Sequence, residues 1–123
     1  MGDMEEMQTG AEELTEALGR SEERAFKSQM TRLMMHIIKW KIEPQRRSRS
    51  WVVSIENARI EIADILEYEP YLKPKIPILW EKCFKRACRV AEKETGIRPG
   101  IEELSRKEVF EDEYLLPKPD SIV

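Results

Sequence analysis

Any chemistry this chain performs would be carried by the stretch HIIKWKIEPQRRSRSW, residues 36–51, which holds the only histidine, two of the three tryptophans and three arginines beside two serines. On a helix, His36 and Trp40 share a face at i, i+4, with Lys39 within one turn. From residue 39 to residue 50, Lys39, Lys41, Arg46, Arg47 and Arg49 stand against Glu43 alone, in a chain whose net charge is −3. Guanidinium forks, serine hydroxyls and the free N–H groups of a helix start are the groups that hold a phosphate or a carboxylate. Trp40 and Trp51, at either end, offer ring faces on which a base would stack. Candidate binding residues are therefore His36, Lys39, Trp40, Arg46, Arg47, Arg49 and Trp51.

The same residues also suit a purely structural corner, and this reading is favoured. Trp40 and Trp51 would close the core at the end of a helical hairpin, Ser48 or Ser50 would cap, and the arginines would pair with carboxylates such as those in VFEDEY, residues 109–114. His36 lies inside the apolar run LMMHII, where a lone histidine is more often a hydrogen-bonded core residue than a base or ligand. Cys83 and Cys88 are five apart, about 140° around a helix, so they neither bridge each other nor form a CxxC pair. With no second histidine, no metal site and no cofactor is expected. Serine nucleophile motifs, glycine-rich phosphate loops and HExxH are absent from the sequence. Glu108, Glu111, Asp112 and Glu113 read as a solvated face, and Met30, Met34 and Met35 as core fillers. Catalysis is not the expected role.

The elements that must position these residues are helical. Charged residues make up 37% of the 123, with both signs mixed and only five glycines, which suits helices with wet outer faces. No apolar run approaches the roughly 18 residues of a membrane span, and the acidic N-terminus is unlike a secretory signal, so the expected setting is a reducing cytoplasm. Asp3/Glu6 and Thr9/Glu12 have capping-box spacing, and Met7, Ala11, Leu14 and Leu18 form a thin stripe, predicting a helix over 4–18 that ends or kinks near Gly19, with a continuous helix through Gly19 as the alternative. Phe26, Met30, Leu33, Met34, Ile37 and Ile38 predict a second over 21–42, stopping before Pro44. Trp51, Ile55, Ala58, Ile62, Ile65 and Leu66 mark a third over 50–68. Ile76, Trp80, Phe84, Ala87 and Ala91 mark a fourth over 74–95, stopped at Thr95-Gly96. A short helix over 101–110 and an irregular tail over 111–123 complete one domain spanning 1–123. The expected fold is all-α, an antiparallel bundle of three main helices.

GRSEERA, LMMHIIKWKIEPQRRSRSW, EKETGI and VFEDEYLLP follow one another in this order. Over about residues 11–117 the chain resembles a bacterial, largely cyanobacterial family, domain-of-unknown-function family twenty-nine. The resemblance implies an all-helical fold and no established activity. It also implies an aromatic-rich segment ahead of the part matching residues 13–19, which this chain does not carry; the surface so left open raises the expectation of self-association. Two functions follow as expectations: non-catalytic interaction with itself or another protein, and, as the alternative, binding of nucleic acid or a phosphate ligand through residues 36–51, with His36 cleaving RNA.

Overall fold

The computed structural model describes residues 2–117, with side chains from Arg20 onward. It is all-helical, with no strand among the described residues. Helix α1 runs Gly2–Ile42, α2 Arg49–Tyr68, α3 Ile76–Thr95 and α4 Arg106–Phe110, with 3-10 helix at Pro44–Arg46 and Pro70–Lys75. The expected all-α bundle of three main helices is present. The stripe of Met7, Ala11, Leu14 and Leu18 lies outside the described side chains, and residues 118–123 of the expected tail lie outside the described residues.

Two boundaries differ from expectation. One helix passes through Gly19, the alternative to the break favoured there. A single internal glycine costs a helix only about 1 kcal/mol, and neither flank contains a proline to enforce a break. The helix expected over 101–110 begins only at Arg106, because Ser105 forms a reciprocal capping box with Glu108. Ahead of it Gly100 takes φ 64°, and the Leu104 carbonyl accepts from Trp80 Nε1 at 3.1 Å instead of joining a helix.

Prolines set the corners. Pro44 and Pro70 each open a 3-10 turn, where a missing N–H costs nothing. Pro77 sits in the first turn of α3. That helix ends at Gly96, left-handed at φ 72°, whose N–H reaches the Glu92 carbonyl.

Cross-links between α1 and α3 advance together along both helices: Glu23 to Lys75 at 3.3 Å, the Lys27 carbonyl to Cys83 Sγ at 3.8 Å, and Lys39 to Glu94 at 3.0 Å. These two helices therefore run parallel, and α2 returns antiparallel to both. At 1.5 Å per residue, α1 is about 60 Å long and its partners about 30 Å. Because Glu23 is level with the start of α3, the earlier part of α1 runs on past the Pro70–Lys75 corner.

Helix α1 packs against α2, α3 and α4. Phe26, Leu33, Met34, Ile37 and Ile38 are wholly buried, and Met30 nearly so. A helix apolar on most of its circumference belongs at the centre of its fold, and α1 occupies that place.

Candidate functional site

At its C-terminus a helix leaves its last carbonyls without partners. In α1 the Lys39 carbonyl accepts from the Glu43 N–H at 2.9 Å. The Trp40 carbonyl accepts from Arg47 Nε, also at 2.9 Å. The Arg47 guanidinium then lies 4.7 Å from the centre of the Trp40 ring. A cation at the negative end of the helix dipole and over an indole is doubly favoured, so Arg47 both caps α1 and covers its last aromatic. Glu43, a buried carboxylate, holds Arg46 Nε at 3.1 Å, while 74% of the Arg46 side chain remains in water. Ser48 ends the turn, and its hydroxyl accepts from the Trp51 N–H at 3.3 Å, which starts α2.

Lys39 joins three helices. It reaches Glu94 of α3 at 3.0 Å and lies 4.7 Å from the centre of the Trp51 ring of α2. Lys41 pairs with Glu108 of α4. That hydrogen bond, and a second from the Ser105 N–H, hold the Glu108 carboxyl below the usual carboxylate range. The carbonyl of Glu108 accepts from Tyr114 Oη at 2.7 Å, and the carbonyl of Val109 accepts from Arg59 Nε at 2.9 Å. Tyr114 meets Trp40 edge-on at 5.6 Å, and burial, with Asp112 and Glu108 adding to it, pushes its hydroxyl up to about 12. Phe110 packs on Trp80 at 5.9 Å.

His36 lies one turn back along α1. Burial, then the charges of Lys39 and Arg32, lower its pKa to about 4, with Glu94 opposing them. Its ring is therefore neutral at pH 7, and Nδ1 is buried without a hydrogen-bond partner. Among the described residues no group of three or more His, Cys, Asp or Glu is placed to hold a metal ion. Cys83 and Cys88 are free, and burial pushes both thiols up.

Lys39, Trp40, Arg46, Arg47 and Trp51 thus meet at one corner, with His36 beside it. Arg49, on the first turn of α2, is exposed and makes no ion pair with a described residue. One detail of the corner differs from expectation. The arginines do not pair with the carboxylates of residues 109–114; nearer acceptors, the Trp40 carbonyl and Glu43, take Arg47 and Arg46. The acidic partners of the lysines come instead from Glu94 and Glu108. The sequence reading missed Arg59 and Glu94. It also missed the structural part of Glu108, although Ser105 three residues earlier is a capping-box signal.

No curated protein and no solved structure matches the chain. A family model does, over residues 3–117, from the start of α1 to the proline after Leu116. That span includes every residue of the corner, and it establishes that the chain belongs to the family described as Domain of unknown function DUF29.

Proposed function

We propose that this domain works by non-catalytic association, with a second copy of itself as a partner. Its basic corner is an internal joint, since Lys39, Lys41, Arg46 and Arg47 are all engaged by groups of their own chain. The observation that carries the reading lies at the other end of the bundle. Tyr68 at the end of α2 is 81% exposed, and Ile78 at the start of α3 is 77% exposed. They are the two most exposed large apolar side chains among the described residues, and tyrosine is enriched at protein contacts. The alternative, phosphate or nucleic-acid binding through residues 36–51, draws its support from Arg46, Arg47 and Arg49, which ring the capped start of α2 with exposed side chains.

Light scattering on the full chain at micromolar concentration and low salt tests the two together. A mass above that of one chain is the expected result. A single-chain mass throughout, with RNA binding that weakens steeply as salt is added, would transfer the function to the alternative.

A further inference from the structure

We infer that the outer face of α3 docks the acidic start of α1 from a second copy of the chain, a reading that rests on the self-association proposed above. Cys83, Phe84, Ala87 and Ala91 turn one side of α3 into the core. On the opposite side stand Lys82, Arg86, Arg89 and Lys93, all exposed. Their spacing of four, three and four residues puts them in one line about 16 Å long. None makes an ion pair with a described residue. Exposed Ile78 lies one turn before the row. Beside it, a cleft of about 530 Å³ between α3 and residues 98–102 is lined by Lys85, Arg89 and Arg98, with Glu92 and Glu102 also on its walls. Unlike Lys39, Lys41 and Arg46 at the corner, no carboxylate of a described residue holds Lys82, Arg86, Arg89 or Lys93 in an ion pair.

The matching charge is in the sequence. Residues 3–16 contain six carboxylates and no lysine or arginine. Glu5, Glu12 and Glu16 recur at intervals of seven and four, the intervals that separate Lys82, Arg89 and Lys93. Two helices so marked align their charges over equal lengths in either direction.

The same chain cannot make this contact. Helix α1 is unbroken from Gly2, and α3 starts level with Glu23, so the acidic part of α1 leads away from α3. The basic row also faces away from α1. A second copy has neither restriction. A nucleic acid fits less well, since the chain as a whole carries a net charge of −3 that opposes its approach.

Sedimentation velocity on the full chain tests the pairing. Association should weaken as sodium chloride rises from about 50 to about 500 mM. R86E/R89E and, separately, E12K/E16K should each weaken it by about tenfold or more, with helical circular dichroism unchanged. An equimolar mixture of the two variants should restore a complex, because each supplies the charge the other now needs. Association of the unaltered chain that ignores both reversals would overturn this pairing while leaving self-association standing. A mixture that stays apart would also overturn it. A single-chain mass under every condition would remove both readings. Binding of an RNA oligonucleotide lost in R86E/R89E, with no self-association, would give the face to nucleic acid instead.

Discussion

Between its ordinary pKa of 6.5 and about 4, the imidazole of His36 is neutral in the folded chain and protonated in the unfolded one, because burial and the Lys39 and Arg32 cations oppose the proton more than Glu94 favours it. The unfolded state therefore binds more protons in this window, and stability falls as pH is lowered through it. Glu108, held below the usual carboxylate range, loses its contribution only at more acidic pH. As His36 is the only histidine, the urea midpoint of the unaltered chain should drop from pH 6.5 to 5, and His36→Gln should flatten that slope. Equal slopes would show that the ring is not desolvated. At this scale the sequence disclosed where the basic residues would gather but not what they would touch. Which acceptor lies nearest depends on how Pro44 turns the chain, and Arg47 finds a helix-end carbonyl that carries no formal charge for a sequence pattern to register.

Each helix is ended by a local device, and most of these devices were visible in advance. Ser48 before α2, Gly96 after α3 and the prolines at both turns act where their types suggested. Gly96 gives the sharpest test, since a methyl group added there would meet nothing within 4 Å. Any cost of Gly96→Ala thus comes from its left-handed backbone alone, about 1–2 kcal/mol. A shift of that size in the denaturant midpoint is the expected outcome, with Gly96→Asn intermediate. At Gly19 the continuous alternative holds over the favoured break for the complementary reason: glycine ends a helix only where the next residues gain by leaving it, and here good helix formers follow. The late start of α4 was written in Ser105 and Glu108, whose capping-box spacing puts the first helical residue at Arg106.

For the molecule as a whole, α1 is the element on which the others are assembled, and stability should be distributed accordingly. Leu33→Ala, at a wholly buried site on α1, should cost about 2–5 kcal/mol in equilibrium unfolding. Lys85→Ala, which removes an exposed ion pair with Glu81, should cost less than about 1 kcal/mol. Comparable losses at the two positions would contradict a core centred on α1. That centre was legible because the run at 33–38 is apolar around most of a helix. The outer face of α3 was not legible, because unpaired cations stand out only once the corner cations are seen to be engaged.

Residues 104–114 touch all three long helices at once: Leu104 and Phe110 meet Trp80, Glu108 holds Lys41, the carbonyls of Glu108 and Val109 receive Arg59, and Tyr114 abuts Trp40. The segment is thus a clasp and not an appendage. Its release would strand an indole N–H, a guanidinium and an ammonium on three separate helices in a single event, which ties the opening of one end of the molecule to the loosening of the whole.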